Sequence, residues 1–206
     1  MASTAFSEEL ANECLSEQGL GFFNLKDSVV GDGVREMEKR DFVFGTEDGL
    51  EFGKQHILNS RVMPVIESFF GDKICVLAHW LRYSAYPGHP SSFRLGGPEA
   101  GRLALVVLLI AKGSRMTYWI DSHRYALPVT EGKRKKHDDG GLTILDARLQ
   151  FVIEEGFAIA FEFATPEVIE TWPKMYLPDI PELKQKVADM GSSKIRTNFA
   201  FGVPKA

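Results

Sequence analysis

Apolar residues recur at helical spacing through the first third of the chain; beyond residue 73 the spacing falls to two or the run becomes continuous. Residues 7–16 read as a short helix, with Ser7 placed to cap it and Glu8 and Glu9 in its first turn, where acidic side chains meet the positive end of the helix dipole. Residues 21–25 (GFFNL) read as a short strand. Val30, Val34 and Met37 predict a helix over 29–40, although Gly31 and Gly33 weaken its start. Residues 42–52 are punctuated by glycine and predict irregular structure. A further helix is predicted over 57–70, kinked at Pro64, with Val62, Val65, Ile66 and Phe69 as its apolar stripe and Gly71-Asp72 as its stop.

The second part reads as strands. Residues 74–86 form a long strand candidate whose last part alternates, so that His79, Leu81 and Tyr83 share one face and Trp80, Arg82 and Ser84 the other. Turn-rich stretches follow at Pro87-Gly88-His89-Pro90 and Gly96-Gly97-Pro98. Residues 103–110 read as a buried strand, with a short buried helix as the alternative that periodicity leaves open, 116–121 as a strand rich in aromatic and β-branched residues, and 133–141 (KRKKHDDGG) as a charged, solvated loop. Residues 142–153 and 157–163 read as two strands joined in a hairpin at 154–156. A proline-punctuated segment, 166–190, ends in a helix at 182–190, and residues 195–201 form a last strand. The outline is mainly β with N-terminal helices. Strand-rich halves of this kind close as a sandwich, jelly roll or barrel, because closure hides strand edges.

Composition narrows the function. With 206 residues and no Pro-, Gly- or Ser-rich linker, a single domain over 1–206 is expected: a helical part at 1–72 packing on a β core at 73–206. A net charge of −4 and a pI near 5.8 give no global attraction to phosphate backbones, so no nucleic-acid partner is expected. Two cysteines, Cys14 and Cys75, are too few for a disulfide scaffold or a thiolate metal site. The first residues lack the basic and apolar regions of a signal peptide, and the longest apolar run, 103–111, is too short to span a membrane, so a cytoplasmic protein is expected. A homodimer is compatible with the sequence, but no pattern indicates one.

Four segments carry a resemblance: residues 15–23 (LSEQGLGFF) with the helix after them; Pro64 to Gly71 with a strand ending at Tyr86-Pro87-Gly88; Lys112-Gly113-Ser114 through Asp121-Ser122-His123-Arg124; and Glu155-Gly156-Phe157 with Arg196 in the last strand. Their order resembles the phytanoyl-CoA dioxygenase-like branch of the iron and 2-oxoglutarate oxygenases. The resemblance implies a double-stranded β-helix (jelly-roll) core, Fe(II) held by two His and one carboxylate, and Arg196 as an anion contact. The ligand pattern departs from that family. A His-x-Asp/Glu triplet belongs shortly after the Pro-Gly turn, where the chain reads YPGHPSSFR. The sole such triplet, His137-Asp138-Asp139, lies in the basic loop, and no His follows His137. No metal and no cofactor are therefore expected.

A jelly roll without its metal keeps its cavity. Either His79, Leu81 and Tyr83 or Trp80, Arg82 and Ser84 are expected to line it, together with either Tyr118 and Met116 or Trp119, Thr117 and Asp121. Arg82, His79 and His123 are the candidate catalytic residues. Trp80, Tyr83, His89, Arg94, Tyr118, Trp119, Phe161 and Arg196 are the candidate substrate contacts. The chain is also similar to metal-free cyclases, isomerases and hetero-Diels-Alderases of fungal natural-product pathways. That implies cyclisation, isomerisation or cycloaddition of a hydrophobic, oxygenated small molecule. Two rivals stand beside this reading: an iron and 2-oxoglutarate oxygenase using His89, His123 or His137, and a non-catalytic binding protein of the same shape.

Overall fold

The computed structural model describes residues 6–97, 100–170 and 172–202; Pro98 of the expected Gly-Gly-Pro turn and the first five residues lie outside them. In chain order the elements are α1 (Glu8–Leu15), β1 (Phe22–Leu25), α2 (Ser28–Lys39), α3 (Glu47–His56), α4 (Met63–Phe70), β2 (Cys75–Ser84), β3 (Ala104–Ile110), β4 (Arg115–Trp119), β5 (Arg134–Asp138), β6 (Gly141–Asp146), β7 (Phe151–Glu155), β8 (Phe157–Ala164), α5 (Pro166–Ile169), β9 (Met175–Leu177), α6 (Pro181–Ala188), β10 (Ile195–Thr197) and β11 (Phe199–Phe201).

The larger sheet has the order β1-β6-β3-β8-β2-β10 and the smaller the order β5-β4-β7, which a bridge from Ser91 to Phe151 extends by one position. From β2 onward the chain passes back and forth between the two sheets. That winding makes the fold a double-stranded β-helix, as expected. A third pair, β9 with β11, is parallel.

Two apolar layers form. The outer face of the larger sheet, with Leu105, Val107, Ile159, Phe161 and Phe163, packs against Leu15, Val34, Leu50, Val65 and Phe69 of the helices. Between the sheets lie Val106, Leu108, Ile110, Met116, Tyr118, Phe151 and Ile153. β3 is buried on both faces, which is why its sequence, ALVVLLI, is a continuous apolar run rather than an alternation. Each such side chain contributes about 1.5–3 kcal/mol by leaving water.

Several boundaries differ from expectation, each for a local reason. Residues 47–56 are helical. The Thr46 hydroxyl accepts from the Gly49 amide at 3.3 Å, and Glu47 and Asp48 occupy the first turn. The glycines that suggested irregularity serve close packing: a Cβ on Gly49 would lie 2.3 Å from the Val43 carbonyl oxygen. Pro64 begins α4 rather than kinking a longer helix, since a first-turn proline forfeits no helical hydrogen bond. Residues 134–138 are an edge strand, not a solvated loop. They pair along β4, and their Lys and Arg side chains discourage further strand addition. The run 142–153 is two strands, β6 in the larger sheet and β7 in the smaller, with the corner between them. The expected hairpin at 154–156 is likewise a passage between sheets. No described helix is long and apolar enough to cross a membrane.

Candidate functional site

One mouth of the cup holds the chain's most unusual charged group. β8 reads FAIAFEFA: its Phe and Ile residues face the helices, while Ala158, Ala160, Glu162 and Ala164 face the space between the sheets. The alanines pack into the inter-sheet layer, and Glu162 is the single acid in that row. It lies between Val106 of β3 and His79 of β2. A register shift between Leu77 and His79 puts His79, Leu81 and Tyr83 on this inner face.

Arg94 reaches the same point from the 86–97 loop. The loop is fixed by the amides of Phe93 and Arg94, which both donate to the Ala147 carbonyl, at 3.0 and 2.8 Å. Arg94 Nη2 is 2.7 Å from Glu162 Oε1, and His79 Nε2 is 3.5 Å from Glu162 Oε2. The Arg94 contact is a close ion pair whose atoms, Arg94 Nη2 and Glu162 Oε1, are buried from solvent. Trp172 covers the group, its ring 4.4 Å from the Arg94 guanidinium carbon and 4.8 Å from the His79 ring. Asn198 Nδ2 donates to the Pro173 carbonyl at 3.2 Å and to the Ala78 carbonyl at 3.3 Å, tying the Trp172 segment to β2. Tyr83 meets Phe93 edge-on at 4.9 Å.

Burial decides the protonation states. The Glu162 side chain is 4% exposed. Loss of water pushes its carboxyl up to about 7 against the opposing pull of Arg94. Burial, with Arg94 adding to it, holds the His79 imidazole below its usual range, so it is neutral at pH 7. Burial and the nearby Glu162 raise the Tyr83 phenol. The arrangement offers a carboxyl that can give or take a proton near neutrality, a cation beside it and aromatic walls.

A second charged group stands at the β6–β7 corner. Arg148 donates from Nε to Asp146 Oδ1 at 2.9 Å and from Nη2 to Oδ2 at 2.7 Å, both side chains being almost fully buried, with Glu17 at 3.5 Å. His123 belongs to this corner. It is buried, neither ring nitrogen has a partner, and burial lowers its pKa. Its Nδ1 would lie 2.4 Å from a Cβ on Gly21, whose φ is +82°.

Of the residues expected at the site, His79, Tyr83 and Arg94 come together. The others lie elsewhere. Arg82 lies on the opposite face of β2, donating to Glu38 at 3.2 Å and stacking on Phe42 and Phe157. Trp80 and Phe161 are part of the outer apolar layer. Tyr118 is fully buried in the packed layer between the sheets, 2.9 Å from the Thr143 hydroxyl. Trp119 faces outward under Arg134, at 4.6 Å. His89 stacks on Tyr86 in an exposed loop. Arg196 lies exposed on the edge strand β10, in register with Val76 of β2 rather than with His79. His137 is buried and bonds the Gly140 carbonyl at 2.9 Å, a structural role. Glu162 and Trp172 were missed. A lone acid in an apolar strand, in register with alanines, was the available signal for Glu162. Trp172 carried none.

No protein-family model matches the sequence, and no curated protein does. Solved structures do match in fold. One is EctD from S. alaskensis, solved with 2-oxoglutarate and 5-hydroxyectoine. It is 8% identical over 81% of this chain and 79% of that one, with a TM-score of 0.53. Another is SnoK, a non-heme α-ketoglutarate-dependent carbocyclase from nogalamycin biosynthesis, 12% identical over 80% and 86%, with a TM-score of 0.50. At such identity the likeness is one of fold: a double-stranded β-helix of the kind used by non-haem oxygenases.

That fold implies an iron site, and the residues present do not fit it. Among the described residues no three His, Cys, Asp or Glu side chains converge. At the mouth of the cup there is one imidazole and one carboxyl, and the carboxyl faces a guanidinium at 2.7 Å. A two-His-one-carboxylate site needs three donors and no competing cation.

Proposed function

We propose that this chain is a metal-independent enzyme of small-molecule biosynthesis. It takes a hydrophobic, oxygenated substrate at the mouth of the cup and promotes its isomerisation or cyclisation, hetero-Diels-Alder closure included. The observation that carries this reading is Glu162: a buried carboxyl at about 7, set between a neutral His79 and Arg94. In this reading Glu162 gives or takes a proton at a substrate carbon or oxygen. Arg94 donates hydrogen bonds to a substrate oxygen on which negative charge develops, and His79 keeps the carboxyl oriented. Tyr83, Phe93 and Trp172 hold the apolar body in a reactive shape and keep water out, which lowers the barrier by fixing orientation.

The test is conversion of β,γ-unsaturated ketones to their conjugated isomers, followed by ultraviolet absorbance on protein dialysed against EDTA. The expected result is turnover that survives chelation and falls by at least about 100-fold in Glu162→Gln, the range that a positioned acid–base group supplies. Turnover unchanged in Glu162→Gln, or absent for every ketone, overturns the proton-transfer reading. Stoichiometric iron retained after anaerobic loading, with consumption of 2-oxoglutarate, would establish the oxygenase instead.

A further inference from the structure

Between the Arg94 group and the Asp146–Arg148 corner lies a cavity of ~490 Å³, within the roughly 300–1,000 Å³ of small-ligand sites. Its walls are mainly apolar, Phe93, Leu103 and Val168 among them, and its charged lining among the described residues is Arg94 and Arg148. The Arg148 guanidinium is already answered by Asp146 on two nitrogens. Arg94 has Glu162 on one edge, Nη2 lying 2.7 Å from a carboxyl held in a site that disfavours its charge, while about a third of its side chain stays exposed where it lines the cavity. A guanidinium so placed, its charge only partly offset, at the edge of an apolar cavity, is complementary to an anion carried on an apolar body.

We infer that the cavity binds an apolar small molecule bearing one carboxylate or equivalent oxyanion, held by Arg94, and that Glu162 takes up a proton as the anion arrives. The ligand class rests on the cavity and on Arg94; the proton rests on the acid–base reading of Glu162 above. Two carboxylates on one guanidinium in a poorly hydrated space repel each other, and protonating Glu162 relieves the repulsion. The groups facing Glu162 are His79 and Tyr83 from β2 and Arg94 from the loop, while β3 presents apolar Val106. His79 titrates below its ordinary range and Tyr83 above its own, which leaves Glu162 to change charge between pH 7 and 8.5.

The experiment is calorimetric titration of the full chain with cinnamate and with cinnamamide, between about pH 6 and pH 8.5, in phosphate and in Tris. Cinnamate should bind at least about tenfold tighter than the amide, since charge-assisted hydrogen bonds to a guanidinium exceed neutral ones. Its affinity should be flat below about pH 6.5 and fall about tenfold per pH unit above 7, with uptake approaching one proton read from the two buffers. Arg94→Gln should abolish the preference for the anion and Arg94→Lys retain part of it, while Glu162→Gln should flatten the pH dependence. Equal binding of acid and amide, an anion preference that survives Arg94→Gln, or binding of neither overturns the ligand class, even with Glu162-dependent turnover intact. An anion preference without pH dependence overturns the proton uptake and leaves the ligand class standing.

Discussion

Replacing Glu162 by Gln should invert the usual relation between a carboxylate and stability. A salt-bridged acid ordinarily stabilises a fold above its unfolded pKa. Here the folded carboxyl titrates near 7 against 4.5 for the unbound group, because burial outweighs Arg94. The difference, about 2.5 pH units at 1.36 kcal/mol each, is roughly 3 kcal/mol. With the side chain only 4% exposed, solvent screening takes little from it. The fold favours the protonated form. Its contribution is therefore complete below about pH 4.5, and it drains away as pH rises through 7. Urea denaturation of the wild type and of Glu162→Gln should show the wild type losing about 2–3 kcal/mol relative to the variant between about pH 5 and pH 8. His79 titrates in the opposite sense, since a buried neutral imidazole loses stability as pH falls. Repeating the pair on a His79→Gln background removes that contribution. A difference that stays flat with pH would refute the assignment of a buried, proton-holding carboxyl. A wild type that gains stability relative to the variant on passing from about pH 3 to pH 5 would show Arg94 winning over burial.

Two further perturbations separate the mouth of the cup from its surroundings. Arg82→Ala should leave turnover of any substrate unchanged and lower stability by about 1–2 kcal/mol, because it loses a half-exposed pair with Glu38 and the stacking on Phe42 and Phe157; steady-state kinetics and urea melts read both. Gly21→Ala should destabilise by at least about 2 kcal/mol in the same melts, since its φ of +82° and the His123 ring both oppose a Cβ, and His123→Ala should recover the part due to the clash.

The winding of the fold was legible because burial writes itself into the residue pattern. The continuous run of β3, the alternation of His79, Leu81 and Tyr83, and the stop at Gly71 each follow from which side of the chain meets water. Where the pattern misled, two structures share one pattern. An edge strand that opens Arg-Lys-Lys looks like a solvated loop. Glycines that admit a neighbour's backbone look like breaks. A run that turns a corner at residues 147–150 looks like one strand. The site was half legible. His79 and Tyr83 followed from alternation, but the choice between the two faces of β2 depends on which face the helices cover, and that is a tertiary fact. Arg82 was drawn to the wrong face for this reason. Arg196 falls on a short strand at the edge of the larger sheet, a placement that depends on strand pairing distant in sequence. Trp172 approaches from a proline-rich segment whose course depends on Asn198, well away in sequence.

The Ala147 carbonyl ties the two charged groups together. It sits between Asp146 and Arg148, and it receives the amides of both Phe93 and Arg94. The loop that delivers the guanidinium to Glu162 thus hangs from the corner that Asp146 and Arg148 brace. Placement of Arg94 depends on Asp146, which holds Arg148 at the corner without itself lining the cavity. Loss of function from changes at Asp146 or Glu17 would accordingly reflect a misplaced Arg94 rather than missing chemistry.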